Sequence, residues 1–346
     1  MGELTSFHSG HIVPGDHIAI HYKDEYMVSG VDFYAPLDGY LVAVERHFYS
    51  PPEGYPEDLK HYHLYFEHSC SFVTGFVHVS TLTQEILDAD EDLKKLDSAE
   101  ITQHTNVWPR IPVNAGQKIG TAAAFGMVGM VTVDADITLS GYSRPESYDG
   151  QLWRLHAVAP FDYFEEPYRT QLYDKIPRTA EPRGGKINFD IDGKLVGNWF
   201  EKGTNGLKGL NTERGTCGEW VCNYWDGHLA IVYDFIEPEK IRINLGRSFD
   251  LEEKGPYGVK GNSPDPADIG IEDGLVKYEL VALLDVSEEH GIKVDGNQIF
   301  TVDDDTVLGV FLVQVIDDQS IKVEIFPGKA ASEVTGFTEN ALFYER

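Results

Sequence analysis

Short strand-like segments between breakers dominate this chain. Segment after segment of apolar residues, alternating in some and nearly continuous in others, stops at a cluster of Gly, Pro, Asn or Asp, the pattern of strands rather than helices. Examples are Gly39-Tyr-Leu-Val-Ala-Val-Glu45, His63-Leu-Tyr-Phe-Glu-His68, Phe72-Val-Thr-Gly-Phe-Val-His-Val79, His228-Leu-Ala-Ile-Val-Tyr233, Lys240-Ile-Arg-Ile-Asn-Leu245 and Ser320-Ile-Lys-Val-Glu-Ile-Phe326. Val307–Ile316 is another, and Asp317-Asp-Gln319 reads as the hairpin turn after it. Helical spacing occurs once with any strength, over Thr81–Leu96, where Leu82, Ile86, Leu87, Leu93 and Leu96 recur at helical intervals and Thr83 can cap. No solenoid period is present. The expected class is mainly β in both halves.

A chain of 346 residues accommodates about two domains. The breaker-rich stretch Lys175-Ile-Pro-Arg-Thr-Ala-Glu-Pro-Arg-Gly-Gly185 lacks an apolar period and reads as a linker, dividing the chain into 1–178 and 179–346. The net charge is −29, shared as −15 over residues 1–175 and −14 over the rest. An evenly acidic surface excludes a phosphate-tracking nucleic-acid binder and docking on an anionic membrane, and it favours solubility. No apolar run is long enough for a transmembrane helix. The abrupt opening into a histidine-rich motif suggests a chain from which a leader has been removed, placing the protein outside the cell or in its envelope. Three cysteines are too few for a disulfide framework. Cys217 and Cys222 either bridge a loop or remain two buried thiols, and Cys70 is expected to be buried.

Eleven of the thirteen histidines lie between His8 and His156, so histidine chemistry belongs to the N-terminal half. Three segments stand in order there. Tyr34-Ala-Pro-Leu-Asp-Gly39 joins two strands, His63–Leu82 forms a histidine-bearing hairpin, and Val113-Asn-Ala-Gly-Gln-Lys-Ile-Gly120 sets a turn glycine four residues before a second glycine.

This order resembles the lysostaphin/LytM-type zinc peptidase domain, a duplicated hybrid motif of β-sheets, over about residues 8–145. The carrier lysine of the related biotinyl-type folds is missing from Met127-Val-Gly-Met130. The resemblance implies a zinc ion, or another divalent metal, held by an early His and Asp and by a late histidine. A site with an open position suits catalysis because the metal lowers the pKa of its water. Carried onto this sequence, the early ligands are His11 and Asp16, and His78 matches the histidine that assists the reaction. The late His-x-His is replaced by Asp134-Ala-Asp136, which makes Asp136 the third ligand and Asp134 the base. Two carboxylates make the set harder than a usual zinc site, and Asp134 is a far weaker base than histidine. The resemblance thus implies a degenerate member, which binds or hydrolyses a small-molecule or polymer substrate.

The remaining histidines have simpler readings. His61 and His63 share a strand face and, with His68, form either a metal or proton-transfer cluster or merely a polar face; the latter is the expectation. His17 and His21 are read as surface positions flanking the Ile18-Ala-Ile-His21 strand. His156, in Leu152-Trp-Arg-Leu-His-Ala-Val158, alternates like a strand residue at the domain interface. No Gly-x-Ser-x-Gly elbow, phosphate-cradling glycine loop or Cys-x-x-Cys pair is present.

The C-terminal half opens with Gly197-Asn-Trp199. A Gly-x-Trp in the first strand resembles the lipocalins and related calycins, in which a late basic residue packs across the tryptophan. Arg346 would take that part by cation–π contact. About 160 residues of alternating strands fit an antiparallel barrel of roughly eight to ten strands. The alternative function is therefore a non-catalytic ligand- or polymer-binding protein with a barrel pocket.

Overall fold

A computed structural model describes the chain except residues 3, 5–12, 23–25, 27–28, 49–58, 124–125, 150, 205, 209–215, 218–219, 222–226, 246–255 and 287–299. The N-terminal half contains ten strands: β1 (Ile18–His21), β2 (Val31–Tyr34), β3 (Gly39–His47), β4 (His61–Glu67), β5 (Phe72–Val79), β6 (Thr81–Leu82), β7 (Thr105–Val107), β8 (Ile111–Val113), β9 (Lys118–Ala122) and β10 (Met127–Asp134). The larger sheet runs β1-β10-β5-β4-β3-β7, with β8 also paired to β3. A three-stranded sheet, β2-β9-β6, is packed against it. Phe33, Leu41, Val44, Leu64, Phe66, Phe76 and Ile119 are buried between the two. Phe33 meets Phe76 edge-on, with ring centres 4.9 Å apart. Offset and edge contacts of this kind suit the aromatic quadrupole.

The turn before β9 uses the left-handed φ of Gly116, 75°. Gly120 is required for a different reason: a Cβ there would sit 1.8 Å from the carbonyl oxygen of Thr81. The close approach of β6 to β9 therefore admits only glycine.

The single helix expected over Thr81–Leu96 is instead the short strand β6 followed by two helices, α1 (Gln84–Asp88) and α2 (Glu91–Ser98). Thr83 does cap α1. The division comes from Asp90, whose carboxylate accepts from the backbone N–H groups of Asp92 and Leu93. That side chain offers the backbone a new start in place of continued helix. Leu82, Ile86, Leu93 and Leu96 are buried as the spacing implied.

In the C-terminal half, β11 (Gly197–Glu201), β14 (His228–Tyr233), β15 (Ile241–Leu245), β16 (Tyr257–Val259), β17 (Val276–Asp285), β18 (Phe300–Asp317), β19 (Ser320–Pro327) and β20 (Leu342–Glu345) close an eight-stranded antiparallel barrel. Beside it, β12 (Thr216–Cys217) pairs with β13 (Trp220–Val221). Alternate residues fill the interior: Leu229 and Ile231, Ile241 and Ile243, Tyr278 and Leu280, Phe311, Val313 and Val315, Ile321 and Val323. The residues between them are buried outside as well. Ala230 and Val232 pack on Leu4 and Val13, and Val310 and Leu312 pack on Val334. This two-sided burial explains the nearly unbroken apolar run before Asp317. Asp317 pairs with Ser320, so the hairpin turn is the two residues Asp318 and Gln319.

Arg346 closes the barrel over Trp199, its guanidinium carbon 4.0 Å from the ring centre. It also pairs with Asp190 at 2.7 Å and donates to the carbonyls of Lys194 and Val196. The indole N–H donates to Leu195. Arg346 thus binds buried carbonyls through Nη2, faces the Asp190 carboxylate through Nη1 and covers the aromatic face with its plane.

The halves share a seam in which Tyr142, Tyr148, Leu155 and Ala157 pack with Ile187, Phe200 and Leu207. The segment from Lys175 to Gly185 is closely held: Arg178 is buried and donates to the carbonyls of Pro182 and Phe235. Two smaller expectations are corrected. Cys70 is exposed, since it sits in the turn between β4 and β5 rather than on a strand. His156 ends a 3-10 turn, Leu152–His156, where its Nδ1 donates to the carbonyl of Ile137 at 2.7 Å. Cys222 lies outside the described residues, so the pairing of Cys217 with Cys222 does too. Among the described residues no helix is long and apolar enough to cross a membrane.

Candidate metal centre

The histidines of β3, β4 and β5 gather at one end of the larger sheet. Residues two apart on a strand share a face, so His61, His63 and Tyr65 point away from the core that receives Tyr62, Leu64 and Phe66. The antiparallel register sets Glu45 opposite His63 and His47 opposite His61. Arg46, between them, reaches the other side and donates to the carbonyls of Asp97 and Ala99 at the end of α2. Lys60 and Tyr62 both bond the Asp97 carboxylate, at 2.7 and 2.6 Å, and fix the helix beneath the site. On the far side of β3, Arg46 pairs with Thr105 in β7, and the His104 ring lies 4.4 Å from that of His47.

His78 joins the group through a break in its strand. Tyr62 pairs with Val79 and Leu64 with Phe76, so β5 advances three residues while β4 advances two. This is a β-bulge, which inserts a residue and re-aims the side chains beyond it. Plain alternation from Phe76 would send His78 into the core. The bulge sends Val79 there instead, and His78 adopts a left-handed φ of 71°. Such a backbone costs about 1–3 kcal/mol for a residue with a Cβ.

The resulting distances are short. Nε2 of His61 lies 3.2 Å from Nε2 of His63 and 3.0 Å from Nδ1 of His78. On the other side of the His63 ring, Nδ1 lies 3.5 Å from Oε2 of Glu45, which is 3.3 Å from Nε2 of His47. Tyr65 donates to the same carboxylate oxygen at 3.4 Å. Among the described residues, two groups of three ligand atoms converge: His61, His63 and His78, and Glu45, His47 and His63.

Electrostatics keep His61 and His63 neutral. Burial, then the neighbouring histidines, hold His61 far below the ordinary imidazole range. Burial lowers His63 to about 4, although Glu45 pulls the other way. Hydrogen bonds from His47 and His63 lower Glu45 to about 2. Neutral imidazoles and an ionised carboxylate are the states that bind metals.

The residues expected to form the site from the sequence are distributed differently. His11 lies outside the described residues. Burial raises Asp16, but the charge of Arg154 and hydrogen bonds from His17 and Trp153 outweigh it and hold the carboxyl well below its usual range. Both its oxygens are engaged, Oδ1 with His17 and Oδ2 with Trp153 and Arg154. Asp134 pairs with Phe72 at the start of β5, while His78 is near its end. Six residues of strand separate those positions by about 20 Å. Asp134 accepts from Tyr163 at 2.6 Å, and Asp136 accepts from Ser71 at 2.9 Å. Of the expected residues, only His78 belongs to either converging group. Sequence reasoning read His61 and His63 as a polar face, and it did not single out Glu45, His47 or His104. The paired spacings Glu45-x-His47 and His61-x-His63 on adjacent strands were the available signal.

No family model, curated protein or solved structure matches this chain.

Proposed function

We propose that the protein binds a divalent transition metal, with zinc as the reference ion, through His61, His63 and His78, and that it is a metal-dependent hydrolase of the metallopeptidase-like kind. The observation that carries the reading is the spacing of three imidazole nitrogens, 3.0 and 3.2 Å about Nε2 of His61. Ligands at 2.0–2.1 Å in a tetrahedron are separated by about 3.3 Å along each edge. Three protein ligands leave the fourth position open, which distinguishes a catalytic zinc from a structural one. When bound there, the metal would supply an acidified water and polarise a carbonyl. The chain's residues do the rest. His61 and His63 hold their neutral state by burial, α2 and its Asp97 contacts fix β4 from beneath, and Tyr65 donates to the ionised Glu45 beside the cluster. The evenly distributed charge of −29 also raises the local concentration of cations.

The substrate class is a small molecule or polymer met outside the cell, in keeping with the resemblance of residues 8–145 to the lysostaphin/LytM domain. That resemblance now supports the chemistry and not the ligand set, which moves from His11, Asp16 and Asp136 to the three histidines. The test is metal analysis of protein purified without chelator or immobilised nickel, followed by zinc titration. At least one equivalent is expected, with one equivalent fewer in His61→Ala. A protein with no stoichiometric metal, or one whose metal content is unchanged in His61→Ala, overturns the proposal.

A further inference from the structure

We infer that the centre holds two metal ions, with the ring of His63 bridging them. The inference rests on the metal-binding reading above and extends it. Its basis is that the two nitrogens of one ring face two different donor sets. Nε2 of His63 lies 3.2 Å from Nε2 of His61 and Nδ1 lies 3.5 Å from Oε2 of Glu45, while His78 completes the first group and His47 the second. The second set has the same edge spacing as the first, 3.3 Å between His47 and Glu45 and 3.5 Å between His63 and Glu45. Both match the roughly 3.3 Å separation of ligands around one tetrahedral ion. All five residues are placed by the register of β3, β4 and the bulged β5.

The proton balance is simple. A neutral imidazole carries one N–H and one lone pair. The first ion takes the lone pair at Nε2 or Nδ1. Binding of the second displaces the remaining ring proton to solvent, and His63 becomes an imidazolate with both nitrogens bonded. No electron is transferred and no other reactant is needed. Two dications a few ångströms apart repel, and the charges that offset this are in place: the imidazolate between them and the ionised Glu45 beside the second. The ligand types agree with the ions. Imidazoles suit zinc, copper and nickel, and one carboxylate does not exclude any of them.

Zinc and copper(II) distinguish the outcomes. Purified chain is titrated with zinc in competition with a weak chelator, and bound metal is counted by native mass spectrometry. Two ions per chain are expected, with one proton released beyond those displaced by the first ion. Glu45→Gln should lower the affinity for the second ion more than tenfold and leave the first in place, with an unchanged thermal melt as evidence of folding. The copper(II) form should show weakened electron paramagnetic resonance intensity, because two coppers joined through one imidazolate couple their spins. One ion per chain overturns the bridge but leaves the metal-binding proposal standing. No ion overturns both. Two coppers with full, uncoupled intensity also overturn the bridge.

Discussion

The guanidinium of Arg346 lies across the indole of Trp199, 4.0 Å from its centre, while Nη1 pairs with Asp190 at 2.7 Å. Both charged groups are almost fully buried. Removing one partner of such a pair strands the other, which costs about 3–5 kcal/mol. Arg346→Met should therefore lower the urea midpoint substantially. Arg346→Lys should fall between, since it keeps a charge but loses the planar fork. Equal midpoints for Arg346→Met and the parent would show that the barrel does not depend on this contact.

His78 combines a left-handed backbone with a ligand nitrogen. His78→Gly removes the strain while giving back some chain entropy, so the metal-free variant should be more stable by about 1 kcal/mol. Its metal affinity should fall by more than about 100-fold, above the loss typical of outer-shell changes. Calorimetry on metal-free protein and competition titration give the two numbers. A variant that is less stable than the parent would show that His78 is held by packing rather than strained for a purpose.

Acid should destabilise the metal-free protein. His63 is lowered to about 4 and His228 to about 3, chiefly by burial, with the charge of Arg154 adding to the second. The unfolded chain, with imidazoles near 6.5, binds more protons than the folded chain below that value. Stability is therefore complete above about pH 6.5 and declines as pH falls toward the folded values, by roughly 1.4 kcal/mol per unit for each such group. His228→Asn should remove the barrel's share and leave that of the cluster. A urea midpoint that is flat from pH 7 to 4.5 would contradict this.

Asp16 and His61 should separate stability from metal binding. Asp16→Ala leaves the buried Arg154 without its carboxylate and should cost about 3–5 kcal/mol, with the metal content unchanged. Asp136→Asn, at an exposed position, should change stability by no more than about 0.5 kcal/mol and also leave metal binding intact. Metal lost in either Asp variant but retained in His61→Ala would restore the ligand set first expected from the sequence.

Most strands could be read from the chain because apolar runs of strand length between Gly, Pro, Asn and Asp clusters are a local signal. The packing of Arg346 on Trp199 was also anticipated, as what the resemblance of Gly197-Asn-Trp199 to the calycins implied. The two helices were half legible. Thr83 was recognised as a cap, and Asp90 carried the same signal but stood inside an apolar pattern that suggested one helix. The site was harder. Alternation shows that His61 and His63 share a face, but it does not show what faces them. That depends on the register of β3 against β4 across the intervening chain, and on a bulge that reverses the parity of β5 just before Val79. Parity by itself puts His78 in the core. The bulge leaves no mark in the residues near it, and the ligands His11, Asp16 and Asp136 were those that the lysostaphin/LytM resemblance implied.

The converging residues lie on three strands consecutive in the chain, β3, β4 and β5, each antiparallel to the next. Their partners are near one another in sequence, and the entropy of closing a loop grows only slowly with its length. A metal ion that meets this stretch before the sheet is complete can fasten the three strands to one another. Binding free energy would then contribute to folding itself. The meander could form early, and β1 and β10, which arrive from distant parts of the chain, would add to an edge already in place.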